Sequence, residues 1–87
     1  MQIQDFVFKY HKHGGHEIVF VSADLDEAAT SPRYYGMLNS DGYWLIMKIT
    51  VAAGISEIRF AAGSTDYAAN WTARASLTSY GYITALF

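Results

Sequence analysis

The stretch that decides the fold is residues 34–61, YYGMLNSDGYWLIMKITVAAGISEIRFA. Aromatic and β-branched residues, which are typical of strands, dominate three segments of it: 34–38, 43–51 and 55–61. Asn39-Ser40-Asp41-Gly42 separates the first two segments, and Ala52-Ala53-Gly54 separates the second from the third. Asn suits the first position of a type I turn, and Gly supplies the left-handed residue that closes a bulge. The sequence therefore predicts a three-stranded antiparallel meander over 34–61.

The middle strand of this meander is expected to have one core face and one partly covered face, because alternate residues of a strand point to opposite sides. The expected core face carries Tyr43, Leu45, Met47, Ile49 and Val51. The other face mixes apolar with polar residues, namely Trp44, Ile46, Lys48 and Thr50.

An N-terminal hairpin is predicted over residues 5–23. Gly14 and Gly15 stand between two apolar runs, and both can adopt the positive φ of a two-residue turn. In that register Phe8 faces Val21 and Tyr10 faces Val19. We expect these four side chains to form a buried face.

The remaining segments complete a mainly β, β-rich α+β domain. Residues 24–33 are predicted to be a loop with one helical turn at 25–29. A short helix is predicted near 66–74, capped by Asp66 or Ser64, and a C-terminal strand follows within 76–87. We expect one small domain over 1–87, in which 1–33 is a hairpin and loop that serves attachment or subunit contact.

The composition favours a protein that contacts a partner or a second copy of itself. Hydrophobic residues make up 52% of the 87 residues, charged residues only 16%, and there is no cysteine. A chain this short cannot bury so much apolar material alone, and exposed apolar patches usually mark contacts. With a net charge of −2 and scattered cations, we expect no nucleic-acid partner. We also expect no membrane span and no signal peptide.

Three histidines are the most prominent candidates for a metal site. His11, His13 and His16 surround the predicted turn, and imidazoles in this pattern can bind zinc or nickel. The alternative is a polar, exposed turn, and no carboxylate is placed to orient a metal ligand. We therefore expect no native metal and no cofactor. The acidic run 24–27 lacks the ligand spacing of a calcium loop.

No catalytic constellation is predicted. No serine stands in a G-x-S-x-G motif, and no carboxylate pair is distinguished from the other acids. We expect the protein not to be an enzyme. The aromatic residues are interpreted either as core or as a sugar-stacking or protein-contact surface. The residues expected at an interface are Tyr35, Trp44, Ile46, Phe8 and Tyr10.

Part of the chain from residue 34 onward resembles a module found in small proteins of tailed bacteriophages. The first matching motif, G-x-W-x-I-M-K, spans Gly42 to Lys48, and Arg59-Phe60 follows it. The second motif, G-x-x-D-Y-x-x-x-W-T-x-R-A-x-L, spans Gly63 to Leu77. The resemblance implies a non-enzymatic structural protein of the virion, tail-related or a capsid decoration, and β-sandwich-like.

With the apolar composition, we expect the partners to be copies of the chain or other virion proteins, in a homo-oligomer, and without a signal peptide we expect synthesis in the host cytoplasm. Residues 1–33 fall outside the resemblance. Two alternatives stay open. One is a receptor- or carbohydrate-binding module that uses exposed aromatic residues. The other is a metal-binding protein that uses the three histidines.

Overall fold

The structure, a computed structural model, describes residues 7–11 and 17–82. Five antiparallel strands form one sheet in chain order, and one short helix follows them. The elements are β1 (Val7–His11), β2 (Glu17–Asp26), β3 (Arg33–Leu38), β4 (Trp44–Ala52), β5 (Ile55–Gly63) and α1 (Tyr67–Thr72). The predicted mainly β fold class is confirmed. The six-residue α1, the single helix among the described residues, is too short to cross a membrane.

The meander over 34–61 is confirmed, together with both of its turns. The amide of Gly42 donates to the Asn39 carbonyl at 3.2 Å, and Gly42 has a φ of 88°. The Asn39 side chain accepts the amides of Asp41 and Tyr43, each at 2.9 Å. In the second turn, Ala53 and Gly54 both have positive φ, 52° and 78°. This is the geometry that a two-residue hairpin turn requires.

The predicted register of the N-terminal hairpin is wrong by one residue. Phe8 pairs with Phe20 and Tyr10 with Ile18, not with Val21 and Val19. The prediction assumed a two-residue turn at Gly14-Gly15, whereas the last pair of the ladder is His11 with Glu17.

A slip of one residue moves every side chain to the other face. As a result Phe20 is fully buried, whereas Val19 and Val21, which were expected to be core, are exposed. The side chains of Phe8 and Tyr10 lie outside the described part of the structure.

The helical turn predicted at 25–29 is also wrong. β2 continues to Asp26 and pairs Leu25 with Tyr35 and Asp26 with Tyr34, after an irregularity between Ser22 and Asp24, and only residues 27–32 form a loop. The β3 backbone supplies hydrogen-bond partners to the end of β2, and a prediction from the local sequence does not take these into account. The hairpin and the meander are therefore parts of one continuous sheet.

Hydrophobic clusters occupy both faces of the sheet. One cluster consists of Phe20, Met37, Leu45 and Phe60. The other lies on the helix-covered face, the face that carries Trp44 and Ile46, and consists of Tyr34, Trp44, Ile46 and Ala61. Partly buried residues of α1 and of the segment after it pack against this second cluster: Tyr67, Trp71, Leu77 and Tyr80.

The burial that the sequence predicts for the two faces of β4 is wrong in part, because of this packing. The Trp44 side of β4 is buried where the helix covers it. Tyr43 and Val51, expected in the core, lie at the two ends of the strand and are exposed.

The predicted helix near 66–74 is confirmed with a shorter span. Asp66 occupies the N-cap position, but its φ is 58° and its side chain makes no capping hydrogen bond. The rings of Tyr67 and Trp71 are stacked, with centroids 6.3 Å apart. In place of the predicted C-terminal strand, the described residues show one isolated bridge between Gly81 and Phe60. Residues 83–87 lie outside the described part.

Candidate functional site

Three of the residues predicted at an interface belong to the core instead. Tyr35, Trp44 and Ile46 are all buried, and Ile46 is fully so. For Trp44 and Ile46 the reason is tertiary, because α1 and the segment after it cover the face that the sequence suggested was partly open. Tyr35 lies on the opposite face, where it pairs with Met47.

Each of the two buried aromatic residues has a fixed polar partner. The Trp44 indole donates to the Thr65 carbonyl at 2.7 Å, and the Tyr35 hydroxyl donates to Glu27 at 2.6 Å. Burial raises the pKa of the Tyr35 phenol, and its hydrogen bond to Glu27 acts in the same direction. These contacts are those of structural side chains.

The histidine hypothesis remains a prediction. The backbone of His11 pairs with Glu17 at the end of β1, and His13 and His16 lie outside the described residues. Within the described ranges, no group of three histidine, aspartate or glutamate residues is arranged to hold a metal ion.

An ion pair connects β2 to the segment that follows α1. The Arg74 guanidinium donates to one Asp26 carboxylate oxygen, Oδ2, from Nε at 3.1 Å and from Nη2 at 2.8 Å. It also lies over the rings of Trp71 and Tyr34, at 4.3 and 5.6 Å from their centroids. These hydrogen bonds from Arg74, followed by one from the Ala28 amide, hold the Asp26 pKa below its usual value. The Asp26 carboxylate therefore already has a cationic partner in Arg74.

A second contact of the same kind joins α1 to β2. The Tyr67 hydroxyl donates to Asp24 at 2.8 Å. Burial raises the pKa of the Tyr67 phenol, and the neighbouring carboxylate raises it further. Together with the Arg74 contact, this bond fixes the helix onto the sheet.

The register also places two cations side by side on the helix-covered face. Lys48 of β4 lies directly opposite Arg59 of β5, and we call these two residues the cation pair. The Lys48 ammonium lies 5.0 Å from the centroid of the Tyr80 ring. The Arg59 guanidinium lies 4.3 Å from that of Tyr82 and donates to its hydroxyl at 3.3 Å. The sequence analysis did not identify this pair.

Exposed apolar side chains surround the turn between β4 and β5. Ile55 is 67% exposed, Ile58 44% and Val51 38%, and we call these three residues the hairpin patch. Val51 and Ile58 lie on the face opposite the helix, whereas Ile55, which pairs with Ala52 at the end of the hairpin, lies on the helix-covered face. Ile58 pairs with Ile49, whose side chain is partly buried, so the apolar surface continues onto β4. The sequence analysis placed Val51 in the core and did not single out the two isoleucines.

The chain matches no protein-family model, no curated protein and no solved structure. Its described residues present two surfaces of different chemistry near the β4–β5 hairpin. The hairpin patch presents apolar side chains to solvent. The cation pair presents positive charge beside tyrosine rings. The first is suited to contact with another protein surface, the second to an anionic ligand.

Proposed function

We propose that the chain is a non-enzymatic structural subunit of a phage virion, and that its copies contact one another through the hairpin patch. The observation that carries self-association is the exposure of Val51, Ile55 and Ile58 around a single hairpin. Isolated exposed apolar residues are ordinary, but a group of β-branched ones around one turn favours an interface.

The resemblance to the phage module supports the virion part of the proposal. Residues of its two motifs pack together in the fold: Trp44 and Ile46 lie in the cluster on the helix-covered face, and Trp71 packs against them. A motif whose residues hold a core together is consistent with a shared structural fold.

Burial of the hairpin patch would contribute favourably to a contact between copies. Full burial of a Val or Ile side chain stabilises by roughly 1.5–3 kcal/mol, so a half-exposed one has about 1 kcal/mol still to gain. In a two-fold contact each side chain counts twice. Polar replacement of Ile58 should therefore weaken a dimer by roughly 10-fold or more.

Light scattering over a concentration series tests the self-association. The wild-type mass should rise above that of one chain, and Ile55→Thr with Ile58→Thr should return it toward one chain. Threonine keeps the β-branch that strands favour. Val21→Thr is the matched control, since Val21 is 50% exposed on β2, away from the hairpin patch, and it should assemble like wild type. Equal masses for all three proteins would contradict the proposed contact.

The virion assignment is tested on particles. The chain should remain with purified virions through a density gradient and be detected there by mass spectrometry. Recovery only in the soluble fraction of the lysate would contradict it.

A further inference from the structure

We propose that the cation pair and Tyr82 form a binding site for an acidic saccharide. In this site the two cations hold the sugar carboxylate, and the exposed tyrosine ring packs against the pyranose. The inference goes beyond the proposed function and uses residues other than those of the hairpin patch.

Two like charges lie side by side in this site. Lys48 and Arg59 are cross-strand partners on one face, and like charges directly opposite each other destabilise a sheet. A bound carboxylate between them would replace this repulsion with charge-assisted hydrogen bonds.

The described residues supply no counter-ion to the cation pair. Among the described residues, no carboxylate lies within 4.0 Å of either cation. The contacts of Arg59 are the Ile58 carbonyl and the Tyr82 side chain, and the contact of Lys48 is the ring of Tyr80. Asp26 lies in the same cross-sheet row, two strands from Lys48, but Arg74 occupies its carboxylate. Within residues 7–11 and 17–82, no carboxylate therefore pairs with these cations in place of an external anion.

The side chains around the cation pair offer a ring surface and hydroxyl partners. Tyr82 is 64% exposed, although one face of its ring lies against Arg59. An exposed tyrosine gives a rigid apolar surface with a polar tip. Thr50 and Glu57 form the neighbouring polar pair on the same face, and they can donate to and accept from sugar hydroxyls. A ring surface, hydroxyl partners and two cations together suit an acidic sugar.

Other polyanions fit these features less well. The chain has a net charge of −2, and the cation pair is too small for a phosphate backbone, which takes many cations.

The test is titration of the full chain with trigalacturonate at low salt, followed by amide NMR shifts. Its fully methyl-esterified form, which has the same rings without charge, is titrated in parallel. The acid form should bind saturably, with shifts centred on Lys48, Arg59 and Tyr82. The ester should bind at least about 10-fold more weakly. Absence of saturable binding, or equal affinity for the ester, would overturn the proposal.

Variants separate the groups of the site. Lys48→Gln and Arg59→Gln should each weaken binding of the acid form by roughly 10-fold. Tyr82→Ala should weaken binding of both the acid and the ester form, whereas Tyr82→Phe should retain both affinities. Lys9→Gln removes the same charge from β1, at the opposite edge of the sheet, and should change nothing. Lys48→Gln removes both a like-charge contact and the contact with the Tyr80 ring, so its melting temperature is measured as a check of folding.

Two further probes distinguish other anions. Inorganic phosphate and phosphatidylserine vesicles should bind more weakly than trigalacturonate. If either binds as well through the cation pair, the site is a simple anion or lipid site and the saccharide proposal fails. If Lys9→Gln weakens binding as much as Lys48→Gln, the attraction comes from general charge and the proposal fails. Self-association through the hairpin patch is measured separately and is unaffected by either result.

Discussion

Arg74 binds Asp26 across a sequence separation of 48 residues, with two of its nitrogens on one carboxylate oxygen. Asp26 ends β2, within the segment that was expected to serve attachment, and Arg74 lies in the segment that follows α1. The ion pair therefore joins the N-terminal part of the chain to the meander and its helix. β2 also places Phe20 in the core beside Met37 and Leu45.

The Arg74–Asp26 pair should show measurable coupling. In a cycle of Arg74→Gln, Asp26→Asn and the double variant, we expect a coupling of about 1 kcal/mol in the free energy of unfolding in urea. Both side chains are 26% exposed, which keeps the value modest. Additive effects of the two changes would contradict a direct interaction.

The same pair should give the stability an acid dependence. Arg74 lowers the folded-state pKa of Asp26 below its unfolded value of about 3.9. The stabilisation is therefore complete above that value and lost as the pH falls through the lower, folded-state pKa. Urea unfolding between about pH 5 and 2 should show a smaller loss of stability for Asp26→Asn than for wild type. Parallel curves would show that other carboxylates account for the acid dependence.

Two tyrosines should make the fold sensitive to alkali. Burial, above all, raises the pKa of both Tyr67 and Tyr80, and a hydrogen bond to Asp24 adds to it for Tyr67. Their contribution is complete below the unfolded-state pKa of about 10 and declines as the pH rises toward the folded-state values. In the double variant Tyr67→Phe with Tyr80→Phe, the midpoint of unfolding should fall less steeply with rising pH, above about pH 10, than it does in wild type. An unchanged slope would contradict this assignment.

A substitution in the turn at Ala53-Gly54 should stabilise the fold. Ala53 has a φ of 52°, a conformation that costs an alanine roughly 1 kcal/mol and that asparagine tolerates better. Ala53→Asn should therefore raise the free energy of unfolding by up to about 1 kcal/mol. The same change at exposed Ala52, whose φ is not positive, should give no gain. Equal effects at both positions would contradict a backbone origin.

Gly36 should tolerate no side chain. A Cβ there would collide with the Tyr67 hydroxyl and come within 3.0 Å of the Trp71 ring. Gly36→Ala should displace α1 and destabilise the fold by roughly 2 kcal/mol. Gly81→Ala is the control, since a Cβ at Gly81 would meet nothing within 4 Å and its φ is not positive. Thermal unfolding of both variants measures the difference, and similar melting temperatures would contradict the close packing.

The parts of the fold that depend on local signals were predictable. The meander follows from two turns whose residues favour turn geometry, Asn39 to Gly42 and Ala53-Gly54. The hairpin register was not predictable in this way, because it depends on Phe20 entering a core built by β3, β4 and β5. The burial of Trp44 depends on a helix that follows it in the chain.

The cation pair could have been predicted from the second turn. A two-residue turn at Ala53-Gly54 pairs Ala52 with Ile55, and the same ladder pairs Lys48 with Arg59. The positions of Tyr80 and Tyr82 could not have been predicted, because they depend on the return of the chain to β5 at Gly81.

Amide NMR spectra over a concentration series report on self-association through the hairpin patch residue by residue. We expect the amides of Val51, Ile55 and Ile58 to shift as the concentration rises, while that of Val21 does not. Spectra that stay unchanged at every concentration, or shifts centred on β2, would contradict it.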